Sequence, residues 1–234
     1  MEFEFFKNPY VYSENNNSFI QKIKELFNSL LWMYGLIFIC TLFLKVIDFF
    51  VYKSTKFSFY DSVIIQQNKN FGNYPIYYII ILAPIVEEII FRLPLTLKKK
   101  HLIFSLISCA FYLFFNKLLS GKGFSEINNF VVIFLLILAL LIYFLLKEKE
   151  FDFVRKSFYP LFFYSICTIF GLMHLFNFCK VVPVNLILIA PLFVIPQLIL
   201  GYFSGYLRLK NGFFWGLLLH IIFNIPSGIL LYHR

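Results

Sequence analysis

The stretch Tyr74-Pro-Ile-Tyr-Tyr-Ile-Ile-Ile-Leu-Ala-Pro-Ile-Val-Glu87-Glu88-Ile-Ile-Phe-Arg92-Leu-Pro-Leu95 decides how this chain is read. A helix needs about 20 apolar residues to cross a bilayer, and this run is long enough. Yet it carries two adjacent carboxylates and an arginine. An ionisable side chain at membrane depth costs at least about 2.5–3.5 kcal/mol on insertion scales. Three of them in one apolar run point to a functional site rather than to packing filler.

The rest of the chain supports a membrane setting. Of 234 residues, 60% are hydrophobic and only 14% charged, and the mean hydropathy is +0.79. A soluble domain has roughly 45–50% apolar and about 25% charged residues. The fold class expected is all-α, a polytopic transmembrane helical bundle of about seven spans, near residues 30–51, 75–96, 101–119, 128–146, 158–180, 182–206 and 212–232. Residues 1–29 form a polar, amphipathic N-terminal segment. Within it, Phe19 to Phe27 has apolar residues at helical spacing, suited to the membrane surface. Residues 30–234 form a single helical membrane domain. The N-terminus lacks the basic, apolar and small-residue succession of a cleavable signal, so the first long run reads as a signal-anchor.

The net charge of +9 would suggest nucleic acid in a soluble protein. Here the lysines lie in loops between apolar runs, which fits loops facing anionic headgroups and excludes nucleic acid as a partner. Twelve Lys and Arg fall on the N-terminal side of the expected bundle, including Lys98, Lys99, Lys100, Arg155 and Lys210, against seven on the other. That bias favours a cytoplasmic N-terminus in the cell membrane. Cys40, Cys109, Cys167 and Cys179 show neither metal-ligand spacing nor a CxxC pair and read as small hydrophobes.

Six polar residues stand out in the apolar runs: Glu87, Glu88, Arg92, His174, His220 and Asn224. Glu88 and Arg92 are four apart and share a helix face, so they can pair. Glu87 is rotated by about 100° and faces elsewhere. A carboxylate caught between desolvation and a nearby cation suits a general base working near neutral pH. A structural Glu–Arg clamp is the plainer alternative, but it needs only one Glu. Phe170-Gly-Leu-Met-His174 puts Phe170 and His174 on one face, with Gly171 allowing close helix approach. His220 and Asn224 are again four apart and can aim two donors at one point, as an oxyanion requires. Either His, or the His220–Asn224 pair, could equally serve as interhelical hydrogen-bonding glue. No Ser, Thr or Cys sits in a convincing triad. The set therefore fits activation of water by Glu and His, with attack on a peptide carbonyl. Two His and two Glu could also hold Zn²⁺, though HExxH is absent; no other cofactor is called for.

Glu87-Glu88-x-x-x-Arg92, Phe170-x-x-x-His174 and His220-x-x-x-Asn224 together resemble the three motifs of the CPBP intramembrane proteases, also called Abi or CAAX-protease-like and related to the type II CAAX prenyl endopeptidase. The segment from Pro196 through Gly201 and Gly205 to Gly212 looks like the one that precedes the last motif. The resemblance covers about residues 75–230. It implies an intramembrane glutamic endopeptidase acting on a membrane-associated or lipidated peptide or protein. By that analogy Glu87 is the base, working on water with His174; His220 and Asn224 form the oxyanion site, and Arg92 holds Glu88. Two other readings remain open. One is a non-catalytic membrane protein, an immunity or scaffold factor that keeps the polar core for packing. The other is a proton-coupled transporter, which would use Pro84, Pro94, Pro191 and Pro196 to break helices.

Overall fold

The structure is a computed structural model and describes residues 3–10, 17–71, 75–119, 126–177 and 181–232. Lys122, Cys179, Lys180 and Arg234, counted in the sequence reading, lie outside the described residues. Among the latter every regular element is helical. The short α1 (Phe3–Lys7) is followed by the long α2 (Phe19–Thr55) and by α3 (Phe59–Phe71). Next come α4 (Ala83–Phe91), α5 (Lys99–Leu119), α6 (Glu126–Leu145) and α7 (Glu148–Ser157). The chain ends in α8 (Tyr159–Met173), α9 (Ile195–Asn211) and α10 (Phe213–Tyr232).

Among the described residues, three helices are apolar and long enough to cross a membrane: Phe19–Thr55, Tyr159–Asn177 and Ala190–Asn211. A fourth is added if Asn129–Leu145 is joined to Glu148–Ser157, which turns away at 103°. The outward faces are apolar. Phe38 and Phe49 of α2 and Phe144 of α6 are 65%, 62% and 74% exposed, as expected where the surrounding solvent is hydrocarbon.

Two of the seven expected runs are not continuous helices. Residues 182–206 hold 3₁₀ turns at Val184–Leu186 and Ala190–Val194 before α9 starts. Pro183, Pro191 and Pro196 each lack the N–H that a continuous α-helix would use. Residues 75–96 are divided into a π-helical turn (Tyr78–Leu82), α4 and a 3₁₀ turn (Pro94–Thr96). The boundary expected at residue 29 also moves. Ser18 caps α2 with a reciprocal Ser18–Gln21 capping box, and the helix runs unbroken from Phe19. The segment to Phe27 is thus not a separate surface helix, and its Leu26 is buried in the core.

The loops that charge counting assigned to one side do meet at one end of the bundle. Asn17 donates to Asn211 at 3.0 Å, and Lys210 pairs with Glu25 at 2.9 Å. Arg155 donates to the Leu97 carbonyl at 3.2 Å, and Lys99 to the Leu146 carbonyl at 2.8 Å. The short α1 plugs this end. Phe5 is fully buried, with its ring 5.3 Å from Phe163 and 5.1 Å from Tyr206. At the end of α2, Asp48 accepts hydrogen bonds from the Phe59 N–H at 2.7 Å and the Ser58 hydroxyl at 2.9 Å, so its buried carboxylate caps α3.

Helices α8 and α9 are drawn together by Gly171. A Cβ there would lie 2.9 Å from the Cα of Leu198, a backbone atom that cannot rotate away. Gly171→Ala is therefore expected to push α8 from α9 and destabilise the protein by about 1–3 kcal/mol. Gly35→Ala is the control. It faces open space within α2, so it should be neutral or slightly stabilising. Thermal unfolding in detergent compares the two, and equal melting temperatures would contradict the close-approach account.

Candidate functional site

The six polar residues come together from α4, α8 and α10, and they divide into a sealed group and an open group. Glu88, Arg92 and His220 are sealed, at 0%, 0% and 1% exposure. The Nε of Arg92 lies 3.6 Å from Glu88 Oε1, and His220 Nδ1 lies 2.9 Å from the same oxygen. The pairing expected from the i,i+4 spacing of Glu88 and Arg92 is present. The stronger contact of Glu88, however, is with His220.

Arg92 is held from three directions. Its Nε donates to the Ser204 hydroxyl at 2.9 Å, and its guanidinium lies 4.1 Å over the centre of the Phe170 ring. A cation over a desolvated aromatic face is worth about 2 kcal/mol. Its two terminal nitrogens and Glu88 Oε2 are buried without hydrogen-bond partners. Coulomb attraction and the aromatic face, rather than a full set of hydrogen bonds, thus hold the guanidinium in place.

Phe170 organises the group. Its ring lies edge-on to His174 at 5.1 Å and to His220 at 5.6 Å, and it also meets Phe91 at 5.5 Å. Sequence spacing marked Phe170 only as sharing a face with His174. Its position between both imidazoles and the guanidinium depends on how α8 crosses α4 and α10.

Glu87, His174 and Asn224 form the open group. They line one cavity of about 170 Å³, together with Gln197 and Tyr112. Glu87 and His174 also line a second cavity of about 260 Å³ that reaches Cys109. The side chain of Glu87 is 28% exposed, and its Oε2 lies 3.5 Å from His220 Nε2. His174 Nδ1 lies 3.0 Å from the Phe170 carbonyl. A carbonyl only accepts, so Nδ1 is the donor in this contact, and in the neutral tautomer that leaves the lone pair on Nε2.

His220 departs from its expected place. The sequence suggested that it points with Asn224 at one spot in the cavity. Instead its two nitrogens face the two carboxylates, and it is absent from the cavity wall. Each imidazole nitrogen there has a carboxylate oxygen as its neighbour, a stronger partner than a neutral acceptor.

The place of Asn224 follows from the broken run before Glu87. The N–H of Ala83 donates to the Tyr78 carbonyl, the five-residue step of a π-turn. In that register the Ile79 carbonyl would receive the N–H of residue 84, which is a proline and has none. The Asn224 carboxamide fills the gap, donating from Nδ2 to Ile79 O at 3.1 Å. It retains a second N–H.

Several polar residues of the site were not singled out from the sequence, among them Ser204, Gln197, Asn177 and Ser227. Ser204 gives no local signal, since its role depends on α9 crossing α4. Gln197 does, as a carboxamide in an apolar run. It lines the cavity, and its Oε1 is buried without a hydrogen-bond partner. Among the described residues no group of three or more His, Cys, Asp or Glu is placed to hold a metal ion.

Removing one member of the sealed group should cost far more than removing its neutral support. Arg92→Gln leaves Glu88 buried with a weaker partner and is expected to lose about 3–5 kcal/mol. Ser204→Ala loses one hydrogen bond and should cost about 1 kcal/mol. Reversible unfolding in mixed micelles would order the two, and the reverse order would refute this account of Arg92.

No family model matches the chain, and neither does any curated protein or solved structure.

Proposed function

We propose that this chain is a membrane-embedded endopeptidase of the glutamic type, similar to the CPBP (CAAX-protease-like) proteases. It hydrolyses a peptide bond of a membrane-associated or lipidated peptide or protein with water activated by Glu87 and His174. One observation carries the reading. Glu87, His174 and Asn224, from three separate helices, open on one cavity, while the charges that hold them in register are sealed behind it.

In this reaction Glu87 takes a proton from water, aided by the lone pair on His174 Nε2. The hydroxide formed attacks the carbonyl carbon, and the π-electron pair moves to oxygen. Asn224 offers its second N–H to that oxyanion. Collapse of the tetrahedral intermediate breaks the C–N bond, and the amine leaves with the proton held at the Glu87–His174 pair. His220 supports both carboxylates from the buried side. The protein sits in the cell membrane with the Lys-rich end in the cytoplasm. There α4, α5 and α10 complete a bundle of about seven membrane-embedded segments.

A sealed Glu88–Arg92–His220 cluster would serve equally well in a non-catalytic immunity or scaffold protein. The partly exposed Glu87 on an open cavity is what a clamp alone would not need.

Purified protein offered a library of membrane-associated peptides is expected to cleave some of them. Glu87→Gln should abolish that cleavage while the melting temperature holds. Asn224→Ala should lower turnover by on the order of 10²-fold, as for loss of one oxyanion donor. Cleavage that survives Glu87→Gln in folded protein would remove the base. Cleavage that stops on chelation and returns with Zn²⁺ would replace the Glu–His water by a metal-bound one. In cells, a function that survives loss of both Glu87 and His174 would favour the scaffold reading.

A further inference from the structure

At the Lys-rich end a further cavity, of about 500 Å³, lies where the start of α5 meets the junction of α6 and α7. Four cations line it, Lys98, Lys99, Lys100 and Arg155, against two carboxylates, Glu148 and Asp152. Much of this charge is already committed. Lys99 donates to the Tyr143 and Leu146 carbonyls at 2.7 and 2.8 Å, closing the end of α6. Arg155 pairs with Asp152 at 2.7 Å and donates to the Leu97 carbonyl, while its Nε is buried without a partner. Lys98 and Lys100 are left exposed, with no hydrogen bond or ion pair from their ammonium groups among the described residues. The start of α5 adds the positive end of a 21-residue helix dipole to the same place.

The surroundings are apolar. From Lys100 a stripe of Phe104, Ile107 and Phe111 runs down one face of α5, at 54%, 45% and 61% exposure. These positions follow Lys100 by four, seven and eleven residues, so they stack on one side. The stripe extends about 16 Å at 1.5 Å per residue, half the roughly 30 Å hydrocarbon core. Ile107 and Phe111 at its foot also line an apolar cavity of about 490 Å³ between α4 and α5. On the other side, α7 leaves α6 at 103°, with Phe151 buried and Phe153 61% exposed. That is the pose of a helix lying along an interface. A cationic recess above one leaflet's depth of exposed apolar side chains matches an amphiphile with an anionic head.

We propose that this cavity binds the phosphate-bearing headgroup of an anionic phospholipid. Lys98 and Lys100 take the phosphate oxygens, and an acyl chain lies along Phe104, Ile107 and Phe111. The site is independent of the protease reading, because none of its residues touches Glu87, His174 or Asn224.

Native mass spectrometry of the full-length protein in detergent tests this, with added phosphatidylglycerol, phosphatidylcholine or inorganic phosphate. Phosphatidylglycerol should bind at least about tenfold more tightly than phosphatidylcholine. The Lys98→Ala/Lys100→Ala double variant should lose that preference. Lys22→Ala/Lys24→Ala, which removes the same charge from the start of α2, should keep it. Equal binding of the two lipids, or a preference retained by the Lys98/Lys100 variant, would overturn the proposal. So would displacement of the lipid by inorganic phosphate at equal concentration, which would assign the cavity to a soluble anion. A preference lost equally in both double variants would reduce it to general surface charge and overturn it as well.

Discussion

Glu88 cannot be buried alone. A carboxylate with no solvent exposure needs compensation from within the protein, and here it comes from Arg92 on its own helix and His220 on α10. That requirement fixes much of the fold. It ties α4 to α10 through His220, to α9 through the Arg92–Ser204 bond, and to α8 through the guanidinium over Phe170. Three helices are thereby registered against α4 by one buried charge pair. A buried ion pair is often no better than an apolar replacement for stability. Its value here is positional. Moving any of the three helices would take a partner from this buried pair, in a medium that cannot replace it.

Behind that register lies a local defect in α4 that also has a use. Pro84 cannot supply an N–H, and the preceding turn widens to a π-helix. The stranded Ile79 carbonyl then draws Asn224 across from α10. A straight α-helix through residues 76–91 would have left Asn224 without this acceptor. The same proline that weakens the span thus orients the carboxamide on the cavity wall. His174 is set by an equally local device, the hydrogen bond of Nδ1 to the carbonyl four residues earlier. Asn224 and His174 on the cavity wall are each positioned from behind by a backbone carbonyl.

The residues gathered at this site were legible in the sequence because an ionisable group in an apolar run is conspicuous. The i,i+4 spacing of Glu88 and Arg92 was enough to anticipate their pairing, since it depends only on helix geometry. What escaped depends on tertiary crossing. Nothing in the sequence around Ser204 distinguishes it from any serine near glycines, and Phe170 is one phenylalanine among 34. The direction of His220 was misread for a related reason. Spacing places His220 and Asn224 on one face of α10, but it does not reveal that the carboxylates of α4 would claim the imidazole. The continuous span expected at 182–206 failed on a local signal that was present, three prolines in fourteen residues.

His220 shows what this division of labour implies for chemistry. Its Nδ1 contacts the sealed carboxylate and its Nε2 approaches the open one, at 2.9 and 3.5 Å. The ring thus bridges Glu87 and Glu88. A proton on Nε2 stabilises negative charge on Glu87, and a proton on Nδ1 does the same for Glu88. Each carboxylate thus has one nitrogen of His220 beside it, and Glu88 has Arg92 as well. Two adjacent glutamates on one helix therefore need not repel each other out of register. Arg92 and His220 between them give each carboxylate a polar partner, and Glu87 is the carboxylate with some access to solvent.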